Sequence, residues 1–164
     1  RMRRIGFLVA ALLLACTGPA KAQLGGVQLD APFDGTVNRL ARTSSDTFEV
    51  EQQGFAACRG FVLSDRRMSV CGAQTGSDDG PLQVTWIRVR ADREQYSLDT
   101  VGGLIKSYES LFSAYYGRPV TENQNSSRPG PRTWRWESSR INARMAVEAE
   151  GGAPTNVEII LERS

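Results

Sequence analysis

The chain contains no histidine. That zero excludes a Ser-His-Asp or Cys-His catalytic pair, and any zinc, copper or haem held by imidazole. Acid–base work near neutral pH would fall to carboxylates, tyrosine, lysine or cysteine with displaced pKa values. Glu109, Glu122 and Glu137 are available for a glycoside-cleaving pair, but nothing in their spacing brings two together. Asp78-Asp79-Gly80 lacks the spaced oxygens and distal Glu of an EF-hand, and reads as a hairpin turn. Gly102-Gly103 follow no strand in the way a phosphate loop requires, and close helix packing would account for them. No catalytic set, cofactor or metal site is expected.

The richest cluster for binding is Arg132, Trp134, Arg135 and Trp136. Arginine mixed with aromatics can stack on bases or sugars. Strand alternation gives Trp134 and Trp136 one face. Opposite Ala143 and Ile141 respectively, both indoles would join the core while Thr133, Arg135 and Glu137 meet water. An outward row of Arg135, Arg144, Glu148 and Glu150 is then either a recognition face or an ordinary solvated one. Tyr115 and Tyr116, if partly exposed, would add to a binding patch.

There are three cysteines. Cys16 lies in an apolar N-terminal run, which leaves Cys58 and Cys71 as an even pair. In an oxidising compartment the default for such a pair is a disulfide. A redox pair would favour C-x-x-C spacing, and a metal site needs more ligands. Two short strands, Arg59 to Leu63 and Met68 to Cys71, joined around Ser64-Asp65-Arg66-Arg67, would carry the two thiols towards each other.

The N-terminus has the marks of an export signal. Arg1, Arg3 and Arg4 precede an apolar run from Ile5 to Ala15, and Ala20-Lys21-Ala22 offers small residues for cleavage before Gln23. The run is too short to span a bilayer as a stable helix. Leu13-Leu14-Ala15-Cys16 also resembles the lipobox of bacterial lipoproteins, which implies lipidation of Cys16 and a membrane-anchored protein. Cleavage before Gln23 implies a free periplasmic or secreted one, and that reading is preferred. Removing residues 1–22 takes four bases and no acid, so the net charge of +2 becomes 16 bases against 18 acids. Such a balance does not fit duplex nucleic acid as a partner. Beyond residue 22, only Lys106 among the bases is lysine.

Stepwise along the chain, residues 23–45 show no sustained period, and carry Gly25-Gly26, Pro32 and Gly35; they read as a flexible leader. Residues 46–164 read as a single α+β domain. Phe48 and Val50 alternate with polar residues, and Leu82 to Arg90 is a strong strand. Asp99 to Tyr116 is the clearest helix, with Val101, Leu104, Ile105, Tyr108, Leu111, Phe112, Tyr115 and Tyr116 in one stripe. Ser97 or Asp99 can cap it, and Gly117 and Pro119 end it. Val120-Thr121, Thr133 to Glu137, Ile141 to Glu150 and Asn156 to Arg163 read as further strands, with Asn123 to Pro131 a polar loop. No repeat of fixed period is visible.

The expected fold is an antiparallel sheet of several strands with one long helix, about 99–116, on one face. The function these features imply is that of an exported bacterial envelope protein. It would be a non-enzymatic binding or accessory module that meets another envelope protein or cell-envelope component, and a membrane only if lipidated at Cys16. A carboxylate-dependent hydrolase and a carrier of small apolar ligands are the alternatives.

Overall fold

A computed structural model describes residues 22–76, 79–124 and 130–164. Residues 1–21, which hold Cys16 and all but the last residue of the expected export signal, lie outside them, as do Asp78 and the middle of the Asn123–Pro131 loop.

The architecture mixes two helices with a large antiparallel sheet. The chain opens with a small hairpin of β1 (Gln23–Leu24) and β2 (Val27–Gln28), then helix α1 (Phe33–Thr43). Four strands follow as a meander: β3 (Asp46–Phe48), β4 (Ala57–Val62), β5 (Arg67–Gln74) and β6 (Leu82–Asp92). Helix α2 (Leu98–Tyr116) then leads into a second meander of β7 (Val120–Glu122), β8 (Arg132–Glu137), β9 (Ile141–Glu150) and β10 (Ala153–Arg163). The eight long-sheet strands run in the order β3-β4-β5-β6-β10-β9-β8-β7. Each half is therefore one helix followed by four strands. The last strands of the two halves, β6 and β10, pair at the centre.

Residues 23–45 are not a leader. Leu24 and Val27 are fully buried, and Leu29, Phe33, Thr36 and Leu40 nearly so. Their sequence signals are short. Leu24-Gly25-Gly26-Val27 is a two-residue hairpin whose turn residues both have positive φ, +59° and +79°, the backbone that matches the twist of paired strands. Phe33, Val37 and Leu40 follow Pro32 at helical spacing, and all three pack on the core. The segment also joins the sheet: Asp30 N–H donates to the Val84 carbonyl at 2.7 Å, and Val84 N–H donates to the Ala31 carbonyl at 2.9 Å. It thus occupies β6 hydrogen-bonding positions beyond the end of β10, and Asp30 pairs with Arg163 there.

α2 starts where Ser97 accepts from Thr100 N–H at 3.2 Å and ends at Gly117, φ +83°. Val101, Leu104, Tyr108 and Phe112 are buried, each stabilising by about 1.5–3 kcal/mol. Ile105, Leu111 and Tyr116 pack at the margin, while Tyr115 points to solvent. Phe112 meets Trp136 edge-on at 5.3 Å, and the Trp136 indole donates to Ser113 Oγ at 3.3 Å. Gly102 and Gly103 have open space where a side chain would be, so helix packing does not account for them.

One apolar core joins both helices to one sheet face through Phe61, Met68, Val70, Val89, Ile159, Met145 and Trp134. Trp134 opposes Met145 and Trp136 opposes Ala143, a register two residues away from the expected one. Because side chains alternate with period two, the shift leaves both indoles on the core side.

Candidate functional site

The face of the sheet opposite the two helices is the part of the fold with chemistry to spare. Its side chains follow from register. One line across the strands reads Ser69, Arg88, Ile160, Arg144, Arg135. The next reads Arg67, Arg90, Glu158, Ala146, Thr133. On the other side lies Cys71, Trp86, Glu162, Asn142, Glu137.

A small second apolar cluster forms the floor. It comprises Cys71, Trp86 and Ile160, with Phe55 and Cys58 against it. Cys58 and Cys71 are directly opposite on β4 and β5, 4.1 Å apart at Cα, and form a disulfide. Phe55, from the segment between β3 and β4, reaches over to Trp86 with ring centroids 6.0 Å apart. Beside this floor is a depression of about 320 Å³, lined among others by Gln52, Trp86, Arg135, Asn142, Arg144 and Ile160. Glu137 and Glu162 also line it, with Asn142 between them in register. Two strand spacings of about 4.8 Å each therefore separate the two acids.

Charge on this face is mixed, and its arginines are crowded. Arg67 stacks over Phe48 at 4.3 Å, and Gly60 makes room for that ring: a β-carbon there would lie 2.3 Å from it. Arg88 lies over Trp86 at 5.3 Å and reaches Ser69 Oγ at 3.5 Å. Burial pulls the Arg88 pKa below the usual arginine value; Glu158 opposes the shift, and Arg90 and Arg67 add to it. Among the described residues the ion pairs made by side chains of this face are Arg90–Glu158 at 3.8 Å, Arg135–Glu122 and, at the end of β9, Glu150 with Arg93 at 3.1 Å.

The structure divides the residues singled out from sequence. Arg135 and Arg144 come together as direct cross-strand neighbours on the open face. Glu148 shares that face further along β9, opposite Asn156. Arg132 lies on the core side of β8, 6.0 Å from the Trp134 ring. Tyr115 and Tyr116 belong to the helical layer, and burial raises the Tyr116 pKa. The six residues do not form one patch. Arg67, Arg88, Arg90 and Trp86 do not stand out in the sequence. Their signal is the alternation Trp86, Arg88, Arg90 along one strand, which means little until β5 and β10 are placed beside it.

Among the described residues no group of three or more Cys, Asp and Glu side chains is placed to hold a metal ion. No helix among them is long and apolar enough to cross a membrane. Neither a protein-family model, nor a curated protein, nor a solved structure matches this chain.

Proposed function

We propose that this chain is an exported, non-enzymatic binding module that docks another envelope protein or envelope component on the open face of its sheet. The observation that carries the reading is the imbalance between the two faces. One is sealed by both helices, and the other carries arginines, glutamates and an apolar floor around a depression. Large sheet faces with mixed charge and a few anchored aromatics are suited to protein contacts. A disulfide is compatible with a life outside the reducing cytosol. The first strand opens at Gln23, the residue that cleavage after Ala22 would make the N-terminus.

The test is capture of partners from an envelope extract by the processed protein, set against Arg135→Ala, Arg144→Ala and Glu148→Ala. Loss of a captured partner with the Arg135 and Arg144 changes supports the reading. An unchanged partner set for all three would refute this face as the docking surface. Mass analysis of the processed N-terminus separates cleavage before Gln23 from lipidation of Cys16.

A carboxylate-dependent hydrolase is the second reading, favoured by Glu137 and Glu162 lining one depression. Turnover of glycoside substrates that Glu137→Gln or Glu162→Gln abolishes would favour it over the first.

A further inference from the structure

Twice on the open face one arginine sits directly opposite another: Arg67 opposite Arg90, and Arg144 opposite Arg135. Arg88 lies in line with Arg144, with Ile160 between them. Like charges directly opposite on neighbouring strands destabilise a sheet. Folding alone does not call for this arrangement, and acids offset only part of it. Glu158 serves Arg90 and Glu122 serves Arg135, which leaves Arg67, Arg88 and Arg144 without a carboxylate within 4.0 Å among the described residues.

Arg67 and Arg88 are also short of hydrogen-bond partners. The Nε of each is buried and has none. Both guanidiniums are held in place by aromatic rings, Phe48 and Trp86. Planar donors fixed in advance suit carboxylates, which accept two parallel N–H bonds.

We propose that Arg67, Arg88 and Arg144 form the docking surface for an acidic stretch of a partner protein, whose carboxylates pair with the guanidinium charges that the acids of this chain leave unpaired. The proposal rests on the binding reading above and names the chemistry of its partner. The interleaved acids decide against an extended polyanion that covers the whole face, while leaving room for a short acidic segment over the arginines. Glu158, Glu162 and Glu137 share the face with the arginines, and would repel a nucleic acid backbone or an anionic membrane laid across it. A protein surface can place carboxylates over the arginines and other groups over the glutamates.

The experiment uses the processed chain and defined probes, read by the NMR signals of the arginine Nε–H groups and the Trp86 indole. Hexaglutamate should shift Arg67, Arg88 and Trp86, with the response fading as salt is added. Arg67→Gln and Arg88→Gln should each weaken it about fivefold, while Arg118→Gln, in the exposed turn after α2, should leave it unchanged. Neither glutamine variant should lower the thermal midpoint, because each removes a crowded charge. Should Arg88→Gln fail to fold, the Arg67→Gln titration tests the same point.

The proposal is overturned if hexaglutamate leaves these signals in place, or shifts them equally in the arginine variants. It is also overturned if inorganic phosphate or phosphatidylglycerol vesicles act as strongly, which would make the site one for small anions or lipid. A silent hexaglutamate titration alongside partner capture that still depends on Arg135 and Arg144 would remove the acidic chemistry and leave docking intact.

Discussion

At the scale of single residues, this protein gives some of its buried polar groups partners and leaves others, Arg67 Nε and Arg88 Nε among them, without one. Tyr108 shows the first habit. Its ring is buried under α2, and its hydroxyl accepts from Gly25 N–H at 3.0 Å. Burial raises its pKa, while Arg66 and the Gly25 hydrogen bond pull the other way. The neutral phenol is therefore the form the fold prefers. Its contribution is complete below the unfolded value near 10 and is lost as pH climbs through the raised folded value. Urea unfolding from about pH 9 to 12 should show stability falling, and Tyr108→Phe should flatten part of that fall. Tyr96 and Tyr116, also raised by burial, keep the remainder. At neutral pH the same variant should lose about 0.5–1.5 kcal/mol, the worth of one hydrogen bond.

At the scale of elements, the strands and helix of residues 46–164 are legible because each has its own period. β9 alternates cleanly, and β6 has a run of Val, Trp and Ile at its centre. α2 repeats its apolar residues every three or four positions and is bounded by Ser97 and Gly117. The hairpin escapes because it is short and glycine-rich, and α1 because its first turn carries a glycine behind a proline. Two-residue strands have too few positions to display alternation, and a helix that opens on Pro-Phe-Asp-Gly shows little propensity of its own. Their order comes from what they pack on. Gly25 makes the dependence testable. A β-carbon there would sit 2.2 Å from the end of Met68 in a backbone with positive φ, whereas at Gly26 it would meet nothing. Gly26→Ala should cost about 1 kcal/mol for its backbone alone. Gly25→Ala should cost about 1–3 kcal/mol more, because Met68 must move in a packed core. Denaturant midpoints of the two variants measure the difference.

At the scale of the whole molecule, two halves of like plan share one core across the β6–β10 seam. Nothing in the residues repeats visibly, since a sheet position accepts many apolar side chains of similar size. The N-terminal segment closes the end of that seam through Val84 and the Asp30–Arg163 pair. A chain beginning at Asp46 should therefore lose cooperative unfolding, or unfold at a much lower denaturant concentration than one beginning at Gln23. Circular dichroism of the two under urea checks it; equal midpoints would mean that residues 23–45 add nothing to the fold.

Residue order and residue counts were enough for the class of fold, most of the strands, the long helix, the cysteine pair and the exclusion of histidine chemistry. Those follow from local periods and from counting, which need no knowledge of neighbours. They also place Trp134 and Trp136 inward and Arg135 outward, because a strand alternates whatever its partner. Which strands lie side by side emerged with the assembled sheet alone. That pairing set Arg67 against Arg90 and Arg144 against Arg135, put Trp86 beside the disulfide, and sent Tyr115 and Tyr116 to the other layer. A binding surface on a sheet is written across strands, while the chain is read along them, so its residues have no common spacing in the sequence.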